Sequence, residues 1–128
     1  KPVFVGTSGS VATMNARDEY HAQAKKVFHD IARKEHRLVI TNYVRAETHA
    51  LLVDEPEGHI FTILEDTSFV VERVSPGDEE KAIEILSTYL DKGFSFTDAT
   101  GFVVMKRLGI DTALTFDRHF RQCEFTAL

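Results

Sequence analysis

The chain alternates short apolar runs with longer amphipathic segments, and this alternation limits its fold more than any other feature of the sequence. Apolar runs without polar alternation are typical of strands covered on both faces, and they predict strands at residues 1–5, 38–40, 69–74 and 112–116, with a short edge strand at 125–128. The segments between them predict helices at residues 8–14, 18–34, 43–53, 59–65, 76–93 and 98–108. We therefore predict an α/β fold: a three-layer αβα sandwich with a mostly parallel sheet of four to five strands flanked by helices.

Length and composition indicate one soluble domain spanning residues 1–128. No apolar run approaches the roughly 20 residues that a membrane-spanning helix needs, and the short basic and apolar start is not a signal peptide. The lone Cys123 has no partner for an internal disulfide, which favours a cytoplasmic protein. The net charge of −5 argues against binding nucleic acid through a broad basic surface, but it is compatible with an enzyme that uses a metal and a local basic patch.

Polar and acidic residues follow the predicted strands at the edge where ligands bind in open parallel sheets, beyond the carboxyl ends of the strands. Gly6-Thr7-Ser8 follows the first strand, and Thr41-Asn42 leads from the second strand into a helix that carries Glu47. Asp98 opens the helix before the fourth strand, and Asp117 follows that strand. These three acids are therefore candidates for one pocket, where they would repel each other unless a cation such as Mg²⁺ or Mn²⁺ lay between them.

Each of these acids also has a simpler structural explanation. Asp98, next to Thr97, is a natural N-terminal cap of a helix, which is worth roughly 1 kcal/mol. Glu47 is compatible with an exposed helix face, and Asp117 with a surface turn. Spacing alone favours these structural roles over a shared metal site.

Three segments of the chain resemble the PIN domain, and specifically the VapC-type toxin ribonucleases of toxin–antitoxin pairs. They are VFVGTSGSVATMNARDEYHAQA at residues 3–24, TNYVRAETHALL at 41–52 and FSFTDATGFVVMKRLGIDTALTFDRHF at 94–120. Glu47 matches the helix-borne glutamate of that family, Asp98 its helix-opening aspartate and Asp117 the aspartate that follows a strand. The resemblance implies a PIN-like sandwich in which these three acids are the catalytic and metal-binding residues.

Gly6 departs from the family pattern. PIN-domain proteins carry an aspartate at the end of the first strand, as in a Val-Asp-Thr-Ser run, whereas this chain has Val5-Gly6-Thr7-Ser8. Glycine offers no ligand, so one metal-binding acid is missing at position 6 and the affinity for Mg²⁺ should fall sharply. Either the protein is a naturally inactive member, or an Asp→Gly change spares an expression host from a toxic nuclease. The other three acids are intact, which favours the second explanation.

The resemblance implies an endoribonuclease toxin that hydrolyses RNA phosphodiester bonds with a metal, impaired in this form by Gly6. The implied cofactor is Mg²⁺ or Mn²⁺, and the implied substrate is single-stranded or looped RNA. The implied partners are a cognate antitoxin, docked on apolar side chains of the first helices, and a second copy of the chain in a homodimer. Four residues are predicted to bind substrate: Thr7, Ser8, Thr115 and Arg118. Further positive charge for RNA is expected from Lys25, Lys26, Lys106, Arg107 and Arg121.

Two other functions stay open at this point. A non-catalytic PIN-like module that binds RNA or protein would keep the fold without the reaction. A receiver-type signalling domain shares the doubly wound pattern, but it needs acids after the first strand, where Gly6-Thr7-Ser8 supplies none. The hydroxyls of Thr7 and Ser8 are equally compatible with a plain helix cap. His119, two residues after Asp117, could contact substrate, but a surface histidine is the favoured expectation.

Overall fold

The computed structural model describes residues 1–55 and 69–128, in which five strands form one sheet. The strands are β1 (Val3–Val5), β2 (Leu38–Thr41), β3 (Phe69–Glu72), β4 (Thr112–Leu114) and β5 (Thr126–Ala127). Their order is β3-β2-β1-β4-β5, and every pairing between them is parallel. The predicted αβα sandwich is confirmed, and its sheet is wholly parallel in these two ranges.

Six helices lie in the same part of the chain and flank the sheet. They are α1 (Thr7–Met14), α2 (His21–Arg33), α3 (Asn42–Leu52), α4 (Pro76–Thr88), α5 (Phe96–Leu108) and α6 (His119–Gln122). The helix predicted at residues 59–65 falls outside the described residues. No periodicity predicts α6, because four residues make barely one turn. Among the helices described here, none is long and apolar enough to cross a membrane.

Side-chain hydrogen bonds explain why two helices begin elsewhere than predicted. α2 begins after Tyr20 rather than at residue 18, because Asp18 Oδ1 accepts from Tyr20 N at 2.9 Å and holds this segment in a turn. α5 begins at Phe96, because Ser95 is its N-cap and Ser95 Oγ accepts from Asp98 N at 3.0 Å. Asp98 therefore lies in the first turn of α5 and does not open the helix, which corrects the prediction.

The core lies on both sides of β1, the middle strand of the sheet. Phe4 of β1 and Leu114 of β4 are fully buried. A Cβ placed on Gly9 of α1 would lie only 2.2 Å from the carbonyl oxygen of Leu114, so this close approach of helix to strand requires glycine. α1 consequently packs directly against β4, with its first turn beside the segment that follows that strand.

The strand order reverses at β1, because the chain continues to β2 on one side of it and later returns to β4 on its other side. Gly6 follows β1, and its backbone N donates to the oxygen of Leu114 at 3.1 Å. Thr41 ends β2 and Thr115 follows β4. The carboxyl ends of these three strands open onto one crevice, which is where parallel sheets bind ligands.

Candidate active site

Two carboxylates and an imidazole meet at this crevice. Asp98 comes from the first turn of α5, whereas Asp117 and His119 come from the segment after β4. His119 Nδ1 lies 2.8 Å from Asp98 Oδ2 and 3.8 Å from Asp117 Oδ1. Each of the three side chains offers a ligand atom within 4.8 Å of the others, a grouping that could hold a metal ion.

Asp98 combines a capping role with its place in this cluster. Its Oδ2 accepts from Ser95 N at 3.1 Å and completes a capping box, and the same oxygen contacts His119. Burial raises the pKa of Asp98, and the charge of Asp117 raises it further, against the opposing effects of Ser95 and His119. Burial and the neighbouring negative charge therefore destabilise the ionised form of Asp98.

Asp78 has the same local motif and the opposite electrostatic outcome. Ser75 and Asp78 form the capping box of α4, with the spacing of Ser95 and Asp98. Asp78 also accepts from Arg107 Nε at 3.0 Å and Nη2 at 2.9 Å. This charge-assisted contact lowers the pKa of Asp78 despite the burial of its carboxylate. Arg107 thus pairs with the acid of the α4 capping box, whereas His119 and Ser95, and no arginine of the described ranges, contact the acid of the α5 capping box.

Glu47 lines the same cavity as Asp98 and Asp117, although it lies outside the 4.8 Å group. The cavity has a volume of about 440 Å³. Its acidic lining residues are Asp18, Glu19, Glu47, Asp98 and Asp117. Within the described part of the chain, no Lys or Arg lines it. Five carboxylates around one cavity repel an anionic ligand unless a cation accompanies it.

Hydroxyl groups fasten the segment that carries Asp117 to α1. Ser8 Oγ accepts from Phe116 N at 2.8 Å and lies 3.0 Å from Thr115 Oγ1. Thr115 Oγ1 accepts from Asp117 N at 3.4 Å, and Asp117 Oδ1 accepts from His119 N at 2.9 Å. Thr115 is only 3% exposed. In the structure, the hydroxyls of Ser8 and Thr115 thus position Asp117, and Ser8 does not cap α1.

Gly6 lies at the N-cap of α1 and brings no side chain to the crevice. Its φ of −79° and ψ of 170° are extended backbone that any residue adopts, so the backbone does not require glycine. A Cβ there would lie 3.1 Å from Phe120 Cε2 and 3.7 Å from Thr115 Cβ, so a side chain needs a small shift of the Phe120 ring. The hydroxyl of the neighbouring Thr7 is buried and has no hydrogen-bond partner among residues 1–55 and 69–128, which is unusual for a buried polar group.

The donor set at the crevice fits a hard divalent cation. Carboxylate oxygens of Asp98, Asp117 and Glu47 are the ligands that Mg²⁺ and Mn²⁺ prefer. A cation there would offset the repulsion that raises the pKa of Asp98. Thr7 also lines this cavity, although its hydroxyl is buried. Gly6 contributes no carboxylate to this set.

The PIN-domain family matches residues 3–125. The chain belongs to the PIN-domain family. The predicted resemblance is thereby confirmed, and the crevice at the ends of β1, β2 and β4 is the candidate site of this PIN domain.

Individual PIN-domain proteins match nearly the whole chain. Two Mycobacterium tuberculosis proteins, from strains CDC 1551 / Oshkosh and ATCC 25618 / H37Rv, are each named 23S rRNA-specific endonuclease VapC20. Each is 35% identical to this chain, and the match covers 96% of this chain and 95% of the M. tuberculosis protein. The crystal structure of M. tuberculosis VapC20, described as a sarcin-ricin loop cleaving toxin, has a TM-score of 0.86 at 32% identity, covering 97% of this chain and 96% of that one. PAE2754 from Pyrobaculum aerophilum shares the fold, with a TM-score of 0.57 at 19% identity over 93% of this chain and 82% of that one.

The basic residues predicted to meet RNA are scattered in this PIN domain. Arg118 is exposed and does not line the acidic cavity. Arg107 is bound to Asp78 and Glu72, so it serves the structural cluster at α4. Lys106 lines a different cavity. The other predicted basic residues are exposed on helices: Lys25, Lys26 and Arg121.

Two groups at the crevice were not assigned to the site from the sequence, although His119 was considered as a contact to substrate. The expectation that His119 is a surface histidine is wrong, because its side chain is 23% exposed and contacts Asp98. Its position two residues after Asp117 was the available signal. The segment of residues 18–20 also lines the cavity, and two acids followed by an aromatic residue before a helix were the corresponding signal.

Proposed function

We propose that this chain is an endoribonuclease toxin of the VapC type, that it hydrolyses RNA phosphodiester bonds with a divalent metal, and that Gly6 impairs it in this form. The observation that carries the proposal is the convergence of Glu47, Asp98 and Asp117 on one cavity without a Lys or Arg lining it in the described ranges. The names of the M. tuberculosis relatives support RNA as the substrate. They make 23S rRNA and its sarcin-ricin loop the first RNA to test.

In this proposal, Asp98, Asp117 and Glu47 hold Mg²⁺ or Mn²⁺. When bound, such an ion would supply positive charge that activates water and offsets the charge of the phosphate. The residues of the chain supply the positioning: Ser95 orients Asp98 through the capping box, and the hydroxyls of Ser8 and Thr115 orient the backbone of Asp117. His119 Nδ1 fixes Asp98 Oδ2, so this oxygen is held before any ligand arrives.

A non-catalytic PIN-like module is the second candidate, and one observation favours it. Gly6 offers no carboxylate at the N-cap of α1, where a Cβ would lie nearest to Phe120 and Thr115. A site short of one acid binds a divalent cation more weakly, because affinity for such ions rises with the number of charged ligands. The two candidates therefore differ in whether restoring that acid restores cleavage.

Restoring the acid is the deciding experiment. Gly6→Asp protein is incubated with 23S rRNA in Mg²⁺ or Mn²⁺, beside the unaltered chain and beside a Gly6→Asp variant that also carries Asp98→Asn. We expect cleavage from the first protein, little from the second and none from the third. Gly6→Asn is the matched control, because it brings a side chain of nearly equal size without the charge. If none of these proteins cleaves any RNA tested, the nuclease proposal fails and the non-catalytic module remains.

The proposed partners follow from the same assignment. We propose a cognate antitoxin with an apolar segment, supported by Leu51, which is 62% exposed and lines the acidic cavity with Val11. We also propose a homodimer, as the resemblance to VapC-type toxins implies. We propose a single domain spanning residues 1–128, which the family match over residues 3–125 supports. Sedimentation of the purified chain, alone and with the antitoxin, tests these proposals.

A further inference from the structure

An exposed aromatic ring stands at the wall of the acidic cavity, beside the carboxylates. The rings of Tyr20 and Phe116 stack in parallel, with centroids 4.7 Å apart and planes 5° apart. Both residues line the cavity with Asp98 and Asp117. Tyr20 nevertheless remains 40% exposed, so stacking on Phe116 covers only part of its surface. A tyrosine that served only to complete the core would be buried more fully.

The segment that carries Tyr20 is held in place by its own contacts. Asp18 Oδ1 accepts from Tyr20 N at 2.9 Å, and Asn15 Oδ1 accepts from Arg17 N at 3.0 Å. Arg17 also forms an ion pair with Glu55 beyond α3. The Tyr20 ring is thus presented by an ordered turn and by the stacked Phe116 beneath it. A preorganised ring loses little conformational entropy when a ligand stacks on it.

The charge around the ring indicates which part of a nucleic acid it could contact. The cavity has five acidic lining residues and, in the ranges that the structure describes, no Lys or Arg. Phosphate groups are repelled there except where a cation holds them. A nucleobase is uncharged, so it can enter such a cavity, and it gains affinity by stacking on an aromatic face.

We propose that Tyr20, backed by Phe116, binds one unstacked base of the RNA substrate, beside the carboxylates that act on its backbone. This inference rests on the proposed RNA substrate and deepens it, because only single-stranded or looped RNA has a base free to stack. The binding is tolerant of base identity, since every base has a π-face. Tyr20 is thus a substrate-binding residue whose role depends on its ring and not on its hydroxyl.

Binding to bases can be separated from binding to the backbone. Fluorescence anisotropy in Mg²⁺ measures the affinity of the protein for a single-stranded oligouridylate of roughly eight nucleotides and for an abasic strand of the same length. We expect the unaltered chain to prefer the strand with bases by about tenfold or more. Tyr20→Leu should lose this preference, because it keeps an apolar cover over Phe116 without an aromatic face. Tyr20→Phe should retain the preference.

Tyr89→Leu is the matched control, because Tyr89 is 45% exposed and its ring contacts Phe94 on the wall of a different cavity. It should retain the preference for bases. Thermal unfolding confirms that each variant is folded. A preference that survives Tyr20→Leu, or an unaltered chain that does not distinguish the two strands, would overturn the proposal.

A cleavage assay keeps this proposal distinct from the proposed function. Tyr20→Leu is added to the Gly6→Asp protein, and cleavage of 23S rRNA is measured at limiting RNA. About tenfold weaker cleavage, restored by Tyr20→Phe, supports the base site. If Gly6→Asp cuts and Tyr20→Leu changes nothing, the base site fails and the nuclease stands. If Gly6→Asp does not cut but the preference for bases depends on Tyr20, the nuclease fails and the base site stands.

Discussion

His119 and Asp98 are joined across the crevice, with Nδ1 and Oδ2 2.8 Å apart. The His119 ring also packs edge-on against Phe94, with centroids 5.5 Å apart and planes at 81°. This packing fixes the ring while its nitrogen faces the two acids. His119 therefore links the aromatic core to Asp98, one of the carboxylates that we propose bind the metal.

Replacing His119 with Phe should destabilise the metal-free protein by about 1–3 kcal/mol, because it keeps a ring against Phe94 and removes a hydrogen bond to a carboxylate. Urea unfolding measures the change. The loss should shrink when Asp98→Asn is already present, since the charged partner is then gone. An unchanged loss in that background would show that ring packing, and not the contact with Asp98, is responsible.

The two capping boxes provide a matched pair of substitutions. Ser95→Ala and Ser75→Ala should each lower the free energy of unfolding by about 1 kcal/mol, because each removes an N-cap oxygen. Only Ser95→Ala should also slow RNA cleavage by the Gly6→Asp protein, since only Ser95 orients an acid of the crevice. Equal cleavage by both variants would mean that the cap of Asp98 plays no part in the site.

Gly6→Asp should make the melting temperature respond to metal. Without a divalent ion, the new carboxylate adds negative charge at the end of β1, near the other acids of the proposed site, and its Cβ presses on Phe120, so we expect no gain in stability and a modest loss. With millimolar Mg²⁺ or Mn²⁺, the melting temperature should rise more than it does for the unaltered chain, because an ion that binds only the folded state stabilises it. Thermal scans with and without EDTA measure this, with Gly6→Asn as control.

The two boxes should also respond to pH in opposite directions. The pKa of Asp78 is lowered in the folded protein, so the unfolded chain binds more protons and this contribution to stability is lost as pH falls below 3.8. The pKa of Asp98 is raised, so the folded state binds more protons and stability falls as pH rises from 3.8 through the folded value. The free energy of unfolding is measured across the acid range. Asp78→Asn should remove the loss of stability at low pH, and Asp98→Asn should remove the loss of stability as pH rises. Unaltered trends in these variants would refute the assignment.

Gly9 should tolerate no side chain. Gly9→Ala places a methyl group 2.2 Å from the backbone oxygen of Leu114, so we expect a loss of about 3 kcal/mol from overpacking. Gly77→Ala is the control, because a Cβ there meets only Ser75 Oγ at 3.8 Å, and its effect should stay within about 0.5 kcal/mol. Chemical denaturation of both variants checks the contrast.

The order of strands and helices could be predicted because it depends on local periodicity. The apolar runs identified all five described strands, and the rule that ligands bind at the carboxyl ends of parallel strands brought Glu47, Asp98 and Asp117 to one crevice. The helix starts were less accurate, because the bond from Tyr20 N to Asp18 decides where α2 begins, and periodicity does not report it.

The details of the site depend on contacts between distant residues, which no local pattern encodes. The sequence presents Ser95 and Asp98 with the same spacing as Ser75 and Asp78, yet only Asp78 meets Arg107. The contact with Arg107 lowers the pKa of Asp78, whereas burial and the charge of Asp117 raise the pKa of Asp98. The ring stacking of Tyr20 on Phe116 and the contact between His119 and Asp98 are likewise long-range.

The bond between Ser8 and the backbone of Phe116 has a consequence during synthesis of the chain. It joins the start of α1 to a segment that the ribosome adds more than a hundred residues later. A nascent chain that lacks β4 can form neither this bond nor the crevice that holds Asp117. A partly made copy thus carries no assembled crevice, so the proposed nuclease centre forms only after Asp117 has been synthesised.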